Sequence, residues 1–475
     1  MDYKKLYIGG ELRDASDNNR YNIICPGDEA KVAEIAWANS QDVSLAIEAA
    51  QQGFQIWSAT PVAERCDYML RLRQAIVDRE DELRGLISME MGKTYADTEE
   101  DFVSITNSLQ YYAETIQEIT DIDIPDRVGD HTHRLVHQPV GVVVAFIAYN
   151  FPMLNLGFKL GPALASGCSI IIKPSEYSPL SAYWIGELCH EIGLPAGVVN
   201  ILCGDVQEVA VLLSSSKVPR LVTMIGSTQT AQRLIAQSCR SSIKRYSMEC
   251  GGNAPFIVMP DADLDKAVAI GSALKTVNAG QICVAPNRYY IHRDIIDEFV
   301  ARVKKEFLSK NMGYKAAEPN MGPLANKASV IRCQELTAMA LDQGATLISG
   351  GEMPDMPGYY FEPTILQFEE INPKVFDEEV FGPIVFVTAF DTKEEVIELA
   401  NDTDAGLASY VFSADSDTLE YFAQRLEFGE VQLNGVKYDI YLPHGGIKNS
   451  GIGVDCSEYA LDDYLIKKRV TLAIG

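Results

Sequence analysis

Basic residues are scarce in this chain: 40 Lys and Arg stand against 66 Asp and Glu, a formal charge of −26 over 475 residues. A surface so acidic repels phosphate backbones, which excludes nucleic acid as a partner. No run of roughly 18 apolar residues occurs, the length that a membrane-crossing helix needs. Met1-Asp2-Tyr3-Lys4-Lys5 leads into polar sequence with no leader-like apolar stretch, so a cytoplasmic protein is expected. The ten cysteines include no CxxC and no regular spacing, which excludes a disulfide scaffold and leaves most of them as small buried hydrophobes. Of the six histidines, His131, His133 and His137 cluster, but with strand-like alternation and no accompanying Cys or carboxylate at ligand spacing; no metal site is expected. A GxGxxG turn following a strand is also missing, as are Pro/Ser-rich linkers and short repeats.

What remains is the composition of an ordinary globular protein, 47% hydrophobic and 22% charged, long enough for two or three domains. Asp42 precedes Val43, Ala46, Ile47, Ala50, Phe54 and Trp57 at helical spacing and reads as an N-cap. A second helix is predicted from Pro61 through Met69, Leu72, Ile76 and Leu83. From about Val140, short apolar runs alternate with helical patterns: Val142–Phe146, Ser169–Ile172, Val198–Leu202 and Leu221–Met224. Near-continuous apolar strands between helices indicate a parallel sheet covered on both faces, an architecture of nucleotide-binding type. The alternation restarts after Gly252 with Pro255–Met259, a helix opening near Asp261 and another over Asp294–Lys310, so a second α/β domain begins there. The glycines from Gly446 to Gly453 are read as a loop.

Two glycine-flanked turns carry groups that bear chemistry. Cys283 lies in Gly280-Gln281-Ile282-Cys283, and Glu249 lies in Glu249-Cys250-Gly251-Gly252. A thiolate nucleophile and a carboxylate base on open turns suit covalent catalysis at a carbonyl, because glycine lets backbone N–H groups approach the reacting oxygen. Asn150 follows the strand ending near Ala148 and can donate to a developing oxyanion. Lys173 and Glu176 sit at the carboxyl end of a strand, where side chains face a ligand crevice and can bind ribose hydroxyls. Gly226-Ser227 opens a helix whose N-terminal N–H groups and dipole suit a pyrophosphate.

Together these runs resemble the aldehyde dehydrogenase superfamily. Tyr149-Asn150-Phe151-Pro152, Lys173-Pro174-Ser175-Glu176, Gly226-Ser227, Glu249-Cys250-Gly251-Gly252, Gly280-Gln281-Ile282-Cys283, Glu379-Val380-Phe381-Gly382-Pro383 and Gly446-Ile447-Lys448-Asn449-Ser450-Gly451 stand in that family's order and approximate spacing. The resemblance implies an α/β fold: a Rossmann-like cofactor domain over residues 1–119 and 140–251, a catalytic domain over 252–450, and a small β oligomerisation element over 120–139 and 466–475. A homodimer or homotetramer is implied with it. The same resemblance makes Cys283 the nucleophile, Glu249 the general base and Asn150 an oxyanion donor, with Lys159 near the site. It assigns Lys173, Ser175, Glu176, Gly226, Ser227, Glu379 and Phe381 to the cofactor, and Tyr149, Asn155 and Phe158 to the substrate pocket. Val454-Asp455 stands where the family often has Arg-Glu, which puts that segment's usual hydrogen bonding in doubt.

The implied reaction is NAD-dependent oxidation of an aldehyde to its acid through a thioester on Cys283. NAD is expected over NADP, because the Glu176 carboxylate accepts from a ribose 2′-OH and repels a 2′-phosphate. Phe158 occupies the place where relatives that oxidise carboxylate-bearing semialdehydes often carry Arg. A small neutral or hydroxylated aldehyde of lactaldehyde or glyceraldehyde type is therefore expected, against the alternatives of an anionic semialdehyde or transfer of the acyl group to coenzyme A.

Overall fold

The computed structural model describes residues 2–315, 319–369 and 373–474. Met1 and Gly475, the outer ends of two expected segments, lie outside the described residues.

An eight-stranded sheet runs in the order Gly451–Ile452, Arg245–Glu249, Pro219–Ile225, Val142–Phe146, Ser169–Lys173, Val199–Ile201, Leu6–Ile8, Glu11–Arg13. Five of its six inner strands are parallel, Leu6–Ile8 pairing antiparallel, and those from Val142 to Ile201 are mostly apolar and buried because helices cover both faces. Chain order reverses between Val142–Phe146 and Pro219–Ile225, which pair directly. Their connections leave in opposite directions, so a crevice opens past their carboxyl ends, at Tyr149-Asn150 and Gly226-Ser227.

A seven-stranded sheet follows: Thr346–Ser349, Thr364–Phe368, Ile384–Phe390, Pro286–His292, Ala254–Val258, Ala408–Phe412, Glu430–Leu433, parallel except for the first strand. Only Cys250-Gly251-Gly252-Asn253 separates strand Arg245–Glu249 of one sheet from Ala254–Val258 of the other. Carboxyl strand ends of the first sheet thereby meet the amino end of Pro286–His292 in the second. A three-stranded sheet stands apart, with Leu465–Ala473 pairing antiparallel along the whole of His131–Pro139, which also pairs with Ile122–Ile124. Val470, Leu472 and Ile122 on it are exposed.

Local readings need three corrections. The first long helix spans Ser40–Ala59 and is capped by Asn39, not Asp42. Asp42 is the third helical residue; its carboxylate reaches back to the Asn39 N–H at 3.1 Å, completing a capping box, and also accepts from the Ser16 hydroxyl at 2.5 Å. The second helix stops at Val77, and Leu83 belongs to a separate helix, Glu80–Met91, because the chain turns at Asp78-Arg79 while the apolar period carries across the break. Gly446–Gly453 is not wholly loop: Gly451–Ile452 adds an edge strand against Met248 and Glu249.

Candidate functional site

Cys283 lies just before strand Pro286–His292, on a turn in which Asn278, Ala279 and Gly280 all have positive φ. The turn is held by amides. Asn278 Nδ2 donates to the Asn150 carbonyl at 2.9 Å, and Asn150 Nδ2 donates to the Gln281 carbonyl at 3.0 Å. Asn155 Nδ2 donates to Asn150 Oδ1 at 3.1 Å, fixing which way the Asn150 amide faces. Buried Asn150 is thus tied two residues before the thiol, and its amide makes this one donation among the described residues.

Glu249 ends its strand and is buried, 3% exposed. The link that follows needs glycine at Gly252, since a Cβ there would lie 2.6 Å from the Cys283 carbonyl. Glu249, Cys283 and a third residue, His444, bring a carboxylate oxygen, a sulfur and a ring nitrogen within 4.8 Å of one another. His444 Nε2 is 3.5 Å from Glu249 Oε2, and its Nδ1 is 2.6 Å from Glu430 Oε1. The Glu249 contact is an ion pair without hydrogen-bond alignment, so both Glu249 oxygens lack a hydrogen-bond donor among the described residues.

Burial raises the Glu249 carboxyl, with His444 opposing. Burial raises the Cys283 thiol too, although the imidazole pulls it down. His444 itself is lowered by burial, yet Glu249, Cys283 and Glu430 together lift it well above the ordinary imidazole range. Such a constellation sets a thiol, a carboxylate and an imidazole against one another, each shifted by the other two and by burial. Around it, the Phe158 ring lies 5.9 Å and the Tyr438 ring 6.0 Å from the His444 ring. Tyr438 shares a 3.0 Å hydrogen bond with the Tyr410 hydroxyl, which donates to the Val284 carbonyl.

Lys159 is fully buried and engages both oxygens of Asp455 at 2.6 and 2.5 Å. Asp455 pairs backbone to backbone with His444, N to O at 2.7 and 2.8 Å, so the segment whose bonding was in doubt is anchored from two sides.

Of the residues expected to hold the cofactor, Glu379 lines a cleft beside the Gly251-Gly252 link. Lys173 Nζ stands 3.5 Å from Glu176. Ser227 caps helix Thr228–Ser238, its hydroxyl accepting from the Thr230 N–H at 3.2 Å, and Ser175 Oγ accepts from the Tyr177 N–H at 3.3 Å. Glu379 accepts from the Gly252 N–H at 3.2 Å, and any side chain at Gly251 would collide with its carboxylate. Burial pushes Glu379 up to about 7, with Gly252 N–H and Lys275 opposing. Tyr149, expected in the substrate pocket, packs edge-on against Phe381 and Tyr177 at 6.0 and 5.8 Å. A cleft of about 600 Å³ between the sheets is lined by Thr228, Gly251, Gly252, Glu379 and Asn449.

The sequence reading missed His444 and Glu430. Both lack a ligand-type spacing, and they are 14 residues apart; the available signal was the polar His within the glycine-rich run that ends in Gly446.

Comparison with known proteins follows the same lines. Residues 13–470 match the aldehyde dehydrogenase family. The chain is 34% identical over 473 residues to the NADP(+) succinate-semialdehyde dehydrogenase of Escherichia coli, covering 99% of this chain and 98% of that one. It is 33% identical to the 3-sulfolactaldehyde dehydrogenase of Pseudomonas putida, with 99% and 97% covered. The NAD+ complex of an aldehyde dehydrogenase from Bacillus cereus superposes with a TM-score of 0.97 at 33% identity, covering 100% of this chain and 97% of that chain.

Proposed function

This chain belongs to the aldehyde dehydrogenase family, and from that premise we propose that it oxidises a small neutral or hydroxylated aldehyde to the carboxylic acid, with Cys283 as nucleophile and Glu249 as general base. The observation that carries the reading is the convergence of the Cys283 sulfur, the Glu249 carboxylate and the His444 ring within 4.8 Å.

Cys283 attacks the aldehyde carbon as thiolate, and the imidazolium of His444 favours that charge. The Asn150 amide and the Cys283 N–H receive the oxyanion. Lys173 and Glu176 hold one ribose of a nicotinamide dinucleotide, the amino end of helix Thr228–Ser238 its pyrophosphate, and Glu379 the second ribose. The residues fit such a group: the crevice sits at the reversal of strand order, and glycine at 251 leaves the Glu379 carboxylate room. When bound, the dinucleotide supplies the hydride acceptor. Glu249 then takes a proton from water as the water attacks the thioester; its ion pair with His444 leaves both oxygens without a hydrogen-bond donor among the described residues. NAD is the proposed cofactor, on the Glu176 argument.

For the substrate, the two basic groups near the thiol are both committed to carboxylates, Lys159 to Asp455 and His444 to Glu430 and Glu249. Phe158 presents a ring where a carboxylate tail would need a cation. We assign the exposed three-stranded sheet to self-association as a homodimer or homotetramer, and divide the chain near residue 252 into cofactor and catalytic domains.

The test is direct. Cys283→Ser abolishes oxidation while cofactor binding persists, and Glu249→Gln gives one burst of reduced cofactor followed by slow turnover. Lactaldehyde and glyceraldehyde exceed succinic semialdehyde in kcat/KM, and added coenzyme A gives no stimulation. Oxidation at the wild-type rate in Cys283→Ser overturns the mechanism, and preference for succinic semialdehyde overturns the substrate.

A further inference from the structure

The thiol, carboxylate and imidazole of this pocket form one more kind of site. We propose that Cys283 Sγ, His444 Nε2 and Glu249 bind a divalent zinc ion, a reversible inhibitory site that occupies the nucleophile and the base together.

The donor set is sulfur, nitrogen and oxygen, the combination that zinc accepts and that calcium and magnesium do not. At zinc distances of about 2.0–2.3 Å, tetrahedral ligand atoms lie about 3.3–3.7 Å apart. His444 Nε2 and Glu249 Oε2 already stand at 3.5 Å, and all three donors lie within 4.8 Å, so side-chain rotation closes the set.

Three further observations point to a ligand. Glu249 is 3% exposed, and neither of its oxygens has a hydrogen-bond donor among the described residues, although Cys283 and His444 stand beside them. Glu430 holds the other ring nitrogen of His444 at 2.6 Å, the carboxylate–histidine arrangement that fixes the tautomer and raises ligand basicity at zinc sites. Charge also favours a dication once the thiol and the imidazolium have lost their protons: the thiolate and the Glu249 and Glu430 carboxylates then surround the ion, and the neighbouring Lys159 is paired with Asp455. By contrast, the surface group Asp126, Asp130 and His131 already spends its Asp126 carboxylate on the Gly129 and Asp130 amides and on His133.

Binding balances without any redox change. The Cys283 S–H proton and the Nε2 proton of the imidazolium leave to solvent, the ring keeps its Nδ1–H on Glu430, and sulfur, nitrogen and carboxylate oxygen bond the ion. A fourth position stays open toward the pocket. An ion seated there blocks attack on the aldehyde, so inhibition competes with the aldehyde.

The experiment titrates the full-length chain with Co2+, watching for the near-ultraviolet thiolate-to-cobalt charge-transfer band, then displaces it with Zn2+. The wild type is expected to show the band, Cys283→Ser to lose it, and His444→Phe to bind Zn2+ at least about 100-fold more weakly. Glu430→Gln, which touches no ion itself, is expected to weaken binding about 10–100-fold. A wild-type chain with no band, or equal Zn2+ affinity in wild type and His444→Phe, overturns the proposal. Because the band is read without turnover, its absence beside an inactive Cys283→Ser sinks the metal site and leaves the reaction standing.

Discussion

Replacing Asp455 with leucine isolates one half of the buried ion pair it makes with Lys159. Lys159 is 0% exposed and Asp455 2%, and the ammonium meets both carboxylate oxygens at 2.6 and 2.5 Å. Leucine keeps the backbone N–H and C=O that pair with His444, so the change strands the ammonium without unpicking that strand-like bridge. An unpaired buried charge left by removing one partner costs about 3–5 kcal/mol, a factor of about 10²–10⁴ in the folding equilibrium. Removing both charges, as in Lys159→Met with Asp455→Leu, is expected to return stability to within about 1 kcal/mol of the wild type or above it, because the desolvation of both ions disappears together. Urea unfolding of the four proteins measures this as a double-mutant cycle, with m unchanged and the midpoint moved, and a coupling of at least about 2 kcal/mol is expected. A single Asp455→Leu loss below about 1 kcal/mol, or a double variant as unstable as the single one, refutes the reasoning.

Other expectations follow from the same geometry. Burial raises the Glu249 carboxyl, so the proton acceptor is lost as pH falls and kcat rises with pH through a limb above the ordinary carboxylate range; a pH–rate profile should show it, and Glu249→Gln should remove it. Gly252→Ala puts a methyl 2.6 Å from the Cys283 carbonyl, and because displacing a reacting group by about 1 Å costs about 100-fold, kcat should fall by that order while the cofactor still binds. Removing the Glu176 carboxylate, as in Glu176→Gln, should raise kcat/KM for NADP at least about tenfold relative to NAD, about 1.4 kcal/mol; an unchanged ratio would show that this carboxylate does not set cofactor choice. Asn39→Ala removes the cap of helix Ser40–Ala59 and should lower stability by about 1 kcal/mol in the same urea assay.

The parallel sheets were legible because each buried strand is a run of apolar residues that no other environment tolerates. Val142–Phe146 appears at the limits its side chains mark, Cys283 and Glu249 stood out because glycine flanks them on turns, and Asn150 because it follows a strand end. Helix ends were less legible. Asp42 and Asn39 both carry cap-forming side chains, and only the backbone angles choose between them; the apolar period from Met69 to Leu83 continues through a turn that breaks the helix.

By itself, then, the order of side chains determined the alternation of strand and helix, the acidic surface, and the turns that carry thiol, amide and carboxylate, since each depends on near neighbours along the chain. Tertiary structure alone decided that His444 joins Cys283 and Glu249, that Glu430 holds its ring, that Asp455 answers Lys159, and that Tyr149 packs against Phe381. Those contacts join residues up to 296 positions apart. Their partners are set by where two sheets abut, and local pattern carries no record of distances across that junction.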